Sequence, residues 1–168
     1  IRDAGGDVVS MAADVAKESS SEALVKLALE NYGQLDIAVN NAGVAHQPGA
    51  LHTMDEETID RQLSVNLKGV LFGMKHQIPA MLANGKGHVL NVSSMAGLGG
   101  APLAAPYAAA KHAVTGMTKT AAVEYGRKNV RVNAICPFFS PTNLLNLGGF
   151  TTEESRTKLA IGSPMKRM

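Results

Sequence analysis

His88-Val89-Leu90-Asn91-Val92-Ser93-Ser94, continued through a loop of small residues into Tyr107-Ala108-Ala109-Ala110-Lys111, is the stretch on which the reading of this chain turns. Its first part is a short apolar run of strand length, and residues 107–125 carry a helical pattern with Gly126 as C-cap. A tyrosine four residues before a lysine on a helix sets phenol and ammonium on one face. A free phenol has a pKa of about 10, and a neighbouring cation lowers it by about 1–3. That brings it toward the range of a general acid or base. Ser94 ends the strand, 13 positions before Tyr107, and can return to the same pocket to hydrogen-bond a substrate oxygen. Adjacent strand residues face opposite ways, so only one of Ser93 and Ser94 enters it; the spacing favours Ser94 and leaves Ser93 structural.

Outward from this unit the pattern repeats. Val130 to Ile135 reads as the next strand and Leu35 to Asn40 as a buried one that empties into Asn41-Ala42-Gly43. Asp55 to Asn84 reads as one long helix, broken late by Pro79 and ended by Gly85. Ser19 to Tyr32 reads as an amphipathic helix stopped by Gly33, and Asp7 to Ala12 as a short strand ending at Asp14. Strands alternating with helices of this length imply an α/β fold with a doubly wound, mostly parallel sheet. In such sheets ligands bind outside the carboxyl ends of the strands, where Asp14, Asn40, Asn41, Ser94 and Thr142 all fall. From Pro137 the chain changes character, with Phe138, Phe139, Leu144, Leu145, Leu147 and Phe150 set among polar residues. This reads equally as an apolar substrate lid and as a packed loop with a short helix near 153–161.

Asn40-Asn41-Ala42-Gly43, Asn66, Asn91-Val92-Ser93-Ser94, Tyr107 to Lys111, and Arg131-Val132-Asn133-Ala134 followed by Pro137 occur in this order. Together they resemble the short-chain dehydrogenase/reductase family, classical type, over nearly the whole chain. A Tyr-x-x-x-Lys alone is weak; five elements in order are specific. The resemblance implies a Rossmann-like single domain over 1–168, with 137–168 as its substrate-loop region. It implies that Tyr107 exchanges the alcohol's proton and Ser94 holds the substrate oxygen. Lys111 would lower the phenol's pKa and bond the nicotinamide ribose; Asn66 would distort its helix and anchor a water linking Lys111 to solvent.

The implied cofactor is NAD or NADP. Asp14-Val15 falls at the family's adenine contact, although an aspartate after a strand is equally a helix cap. Of Asn40 and Asn41, one ties neighbouring strands and the other, with Ala42 and Gly43, lines the adenosine ribose. Pro137 and Thr142 match the family's contact to the nicotinamide carboxamide, with Phe138 standing where the family has glycine. The family's Gly-rich phosphate turn, its first two strands and the residue that chooses between NAD and NADP are expected before Ile1, and a last strand after Met168. The fold is therefore expected to be incomplete at both ends, with a gap beside the Ile37 strand, and residues 1–168 alone are expected to bind dinucleotide poorly.

Composition agrees with this reading. The chain has 168 residues, 45% hydrophobic and 18% charged, which suits one globular domain rather than a disordered tail. With a net charge of +2 and dispersed basic residues, no nucleic-acid stripe appears. No apolar run reaches membrane-span length, and no signal peptide opens the sequence, so a soluble cytoplasmic protein is expected. Cys136, the one cysteine, reads as a buried thiol. The five histidines lack ligand spacing, and no residue is assigned to a metal. Gly97-Leu98-Gly99-Gly100 is not a nucleotide loop, because position 102 is proline and no phosphate-binding helix follows.

The expected function is interconversion of a secondary alcohol and a ketone, on a small and apolar substrate, by a homo-oligomer, tetramer or dimer. The small residues of the Tyr107 helix serve subunit packing or helix-on-sheet packing equally. The alternatives are a 3-oxoacyl-[acyl-carrier-protein] reductase and, from another class, a non-catalytic binding protein that retains the fold. A chain freed from catalysis has no physical need to keep Asn66, Ser94, Tyr107 and Lys111 together.

Overall fold

Runs rich in valine and isoleucine, bounded by glycine and polar turns, become three parallel strands in the computed structural model, which describes all 168 residues. They are β1 (Ile37–Asn40), β2 (Gly87–Val92) and β3 (Val130–Ile135), side by side in that order. Ala38 pairs with Val89, and Val89 with Val132; Asn40 pairs with Asn91, and Asn91 with Ala134. Helix α3 (Gly69–Ala83) carries the chain from β1 to β2 and α4 (Ala105–Tyr125) from β2 to β3, the crossovers that parallel pairing demands.

The pleat sends Ala38, Val89 and Val132 to one face, where they meet Met74, Ile78 and Met81 of α3 and Ala121 of α4 in the core. Val89 and Val130 are wholly inaccessible, and burying such side chains stabilises by about 1.5–3 kcal/mol each. The opposite face holds Ile37 (64% exposed), Val39 (56%) and Ile135 (46%). The chain thus supplies the helical layer of one face of a Rossmann-like sheet and leaves the other open. The outer edge of β1 is unpaired too.

The residues expected to form one helix over 55–84 form two. Helix α2 (Glu56–Leu63) starts at Asp55, whose carboxylate accepts from Thr58 N–H at 2.6 Å, and a π-helical turn, Ser64–Lys68, joins it to α3. The interruption comes at Asn66, which reaches out to Val44, and not at Pro79, which stays inside α3 on its exposed side. Helix α1 (Glu18–Tyr32) ends at Gly33 in the left-handed conformation, its N–H on Leu29 O. Beyond β3 come α5 (Asn143–Leu147) and α6 (Glu153–Ala160), the latter opened by a capping box of Thr152 and Ser155.

Three further expectations are corrected. The run Leu35 to Asn40, read as a buried strand, buries only Ala38, because no layer covers the face that carries Ile37 and Val39. Residues 7–12 are largely exposed and form no strand, because no neighbouring strand offers them a ladder. Cys136 is half-buried rather than buried, since the covering on that side of the β3 end is partial.

Candidate active site

The end of β2 and the start of α4 bring the central residues together. Ser94 is extended (φ −168°) and caps the short turn Met95–Gly97, its Oγ accepting from Ala96 N–H at 3.1 Å. Ser93 turns the other way: its Oγ donates to Lys111 O at 2.9 Å and lies 3.0 Å from Thr115 Oγ1. It is therefore structural, as the alternation of strand side chains requires. A side-chain carbon on Gly97 would stand 2.5 Å from Ser93 Oγ and 2.6 Å from Lys111 O. Only glycine lets this loop lie directly on α4.

Lys111 is buried, and its Nζ donates to Val92 O at 2.8 Å and stands 5.6 Å from the centroid of the Tyr107 ring. The lysine is thus anchored to the strand that delivers Ser94. Burial pushes the Tyr107 pKa above its usual value, with the neighbouring Ser94 hydroxyl acting the other way. The expectation that Lys111 acidifies this phenol is corrected: the ammonium lies over the ring face, and desolvation outweighs any help it gives. Burial also lowers Lys111 to about 8, opposed by the nearby Cys136.

Asn66 is fully buried in the π-helical turn. Its Oδ1 accepts from Val44 N–H at 2.9 Å, and its Nδ2 donates to Val44 O at 2.9 Å and to Gln62 Oε1 at 2.7 Å. It thereby staples α2 to the loop after β1. A side-chain carbon on Gly43 would stand 3.0 Å from Asn66 Oδ1 and 3.9 Å from Lys111 Nζ. The bare backbone at Gly43 therefore forms a cradle beside Asn66 and Lys111, where a sugar or another hydroxyl-bearing ligand can approach the main chain. Asn41 and Ala42 lie exposed just before it.

Asn40 is the strand-tying member of its pair. Its Nδ2 donates to Asn91 Oδ1 at 2.8 Å and to Gln77 Oε1 at 3.1 Å, and Asn91 Nδ2 continues to Thr118 Oγ1 at 2.9 Å. This buried polar chain joins β1, β2, α3 and α4 beneath the site. Asn91 was read from sequence only as part of the motif Asn91-Val92-Ser93-Ser94, with no role of its own, and Gln62 was not singled out, although it lies one helical turn before Asn66, the spacing at which side chains meet.

The outlying residues do not converge on this group. Asp14 Oδ1 accepts from Ala16 N–H at 3.0 Å, a local turn ahead of α1, while Val15 packs on α3 at Gly69. Pro137 O accepts from Met95 N–H at 3.1 Å, which ties the end of β3 to the Ser94 turn. Thr142 is exposed at the start of α5, and no hydrogen bond links it or Asp14 to Ser94, Tyr107 or Lys111. Phe138 packs edge-to-face on Phe139 at 4.9 Å and touches Gly162 beyond α6, so its ring faces the C-terminal segment.

A parallel sheet joined through helices, with polar groups gathered at the carboxyl ends of its strands, defines a Rossmann-like α/β protein. The family model for short chain dehydrogenase matches residues 1–147, and the chain belongs to that family. It is 38% identical over 141 residues to cyclohexanol dehydrogenase of Acinetobacter sp. (strain SE19), covering 84% of this chain and 56% of that protein. A crystal structure of a putative short-chain alcohol dehydrogenase from Sinorhizobium meliloti 1021 superposes with a TM-score of 0.92 at 31% identity, over 99% of this chain and 66% of the other. The 3-ketoacyl-(acyl-carrier-protein) reductase from Brucella melitensis complexed with NADH gives 0.86 at 35%, over 94% and 64%. ElxO with NADP bound gives 0.82 at 30%, over 92% and 62%. The chain spans about half the length of the curated relatives it matches. No helix is long and apolar enough to cross a membrane.

Proposed function

We propose that this chain carries the catalytic groups of an NAD(P)-dependent oxidoreductase that interconverts a secondary alcohol and a ketone. The observation behind the proposal is the convergence of Ser94, Tyr107 and Lys111 at the β2–α4 junction, with Asn66 beside Lys111 at Gly43. When bound, NAD or NADP supplies or accepts the hydride. The Gly43 cradle fits such a group, and Asn41, Ala42 and Gly43 would hold its adenosine end. Lys111, with N–H groups to spare beyond Val92 O, would hold the nicotinamide ribose. Asp14 and Val15 are assigned to the adenine, and Pro137 and Thr142 to the nicotinamide.

Ser94 holds the substrate oxygen by donating its hydroxyl hydrogen. Tyr107, kept protonated by its raised pKa, donates to that oxygen as it gains charge, which suits reduction of a ketone. Lys111, titrating near 8, is the group that returns a proton to the phenol. Segment 137–168 lines the substrate side, and its apolar residues fit a small cyclic substrate such as the one in the name of the Acinetobacter relative. Similarity to the Brucella structure supports a second reading, 3-oxoacyl-[acyl-carrier-protein] reduction; turnover of a carrier-bound ketone in preference to cyclohexanone would favour it. A cytoplasmic homo-oligomer, dimer or tetramer, completes the proposal.

The test is Tyr107→Phe in the protein that carries this chain, with nicotinamide absorbance followed over a ketone panel. Only the phenolic oxygen is lost, so turnover should fall about 100- to 10,000-fold while the melting temperature holds. Normal turnover in that variant would end the reading.

A further inference from the structure

We propose that the substrate carries no anionic group on the part that enters this site: the three loops at the carboxyl ends of the strands, joined pairwise into one rim, hold no cation to receive it. The inference deepens the function proposed above, by naming its substrate class, and rests on it. No Asp, Glu, Lys or Arg occurs between Asp36 and Asp55, between Lys86 and Lys111, or between Arg131 and Glu153, in a chain that is 18% charged. Burial accounts for the gap within the strands. It does not account for the loops that follow them, where Asn41, Gln47, Leu98 and Phe139 are exposed and charged side chains are ordinarily common. The opposite end of the sheet is the contrast. The turns that lead into the strands hold Asp36, Lys86, Arg127 and Lys128, and Lys86 pairs with Asp36 at 3.6 Å.

Three hydrogen bonds close the rim. Gly49 N–H donates to Leu103 O at 3.0 Å, which joins the loop after β1 to the one after β2, and Met95 N–H donates to Pro137 O at 3.1 Å, which joins that loop to the one after β3. Gln47 Nε2 donates to Leu147 O at 3.2 Å and brings the third loop back to the first. Gly43, Ser94 and Tyr107 all belong to these loops or their ends, and Met95, Leu98, Leu103 and Phe139 stand exposed on them as apolar side chains. Lys111 is the first cation beyond the second loop, and it is buried with one N–H on Val92 O. His46 offers no substitute, because its Nδ1 is 2.8 Å from Gln47 O, to which it must donate, and its Nε2 is inaccessible. His52 stands further along, on the exposed turn Leu51–Thr53. Asp55 and Arg61 line a separate groove that includes neither Ser94 nor Tyr107. A carboxylate drawn inside such a rim sheds water and gains no cation in return, whereas an apolar body gains by leaving water.

The test compares 4-oxocyclohexanecarboxylate with its methyl ester and with 4-methylcyclohexanone, in the protein that carries this chain and at about pH 7, where the acid is ionised. Each compound is read as a substrate and as a competitor of the fastest ketone in the panel. The two neutral ketones bracket the acid in size, so a preference for both over it reports charge and not volume. Each neutral ketone should exceed the carboxylate about 10- to 100-fold in kcat/KM or in inhibitory strength. Arg61→Gln should leave that ratio unchanged. A carboxylate that matches or beats either neutral ketone overturns the inference, as does a ratio that widens in Arg61→Gln, since a cation would then be serving the site. With Tyr107→Phe inactive, either result leaves the wider reading standing; full activity in Tyr107→Phe removes both.

Discussion

Lys111 is the residue whose surroundings decide most. Its ammonium is buried against Val92 O, and its pKa falls to about 8 from an ordinary 10.5. In the unfolded chain it titrates near the ordinary value, so below about 8 folding must bury a charge. Its favourable contribution is complete only above 10.5 and is lost as pH falls through 8. The penalty near neutrality is at most about 3 kcal/mol. Lys111→Met should therefore melt higher than the parent at pH 7, with the gap closing toward pH 10 while turnover is absent throughout. Denaturant melts across that range check this; a parent that loses stability on going from pH 7 to 10 relative to the variant contradicts the assignment. The spacing of Tyr107 and Lys111 was legible in sequence, and so was the opposite facing of Ser93 and Ser94. The direction of the Tyr107 shift was not, because desolvation depends on what covers the ring.

Among elements, α3 and the turn before it carry the lesson. Pro79 lacks the N–H that would reach Lys75 O, yet α3 runs through it with the ring on the exposed side. Pro79→Ala restores a donor and removes the ring's conflict with the preceding turn. It should stabilise the chain by about 1–3 kcal/mol, read as a higher melting temperature without change at the Ser94 site. An unchanged or lower melt would mean that the proline is already matched to a local bend. The helix periodicity over 55–84 was visible in sequence; the break at Ser64–Lys68 was not visible from propensity and was expected only through the resemblance, which implies that Asn66 distorts its helix. It arises because Asn66 bonds Val44, a partner 22 residues away.

At the scale of the whole molecule, one face of the sheet is covered by α3 and α4, while Ile37, Val39 and Ile135 stand exposed on the other beside the unpaired edge of β1. Such a face and edge drive association in water. Residues 1–168 alone should run in gel filtration well above their 17.5 kDa monomer, and Val39→Lys should shift them toward it. A clean monomer before the substitution would refute this. By itself the sequence determined the alternation of strands and helices, the parallel α/β class and the order of the Ser94, Tyr107 and Lys111 motif, because periodicity and capping are local and side-chain spacing sets which groups share a face. Only the tertiary structure decided that residues 7–12 pair with nothing, that Gln62 and Val44 hold Asn66, that Phe138 turns toward α6, and that burial rather than a neighbouring charge governs Tyr107. Each of those outcomes depends on contacts between segments far apart in the chain, which no local pattern encodes.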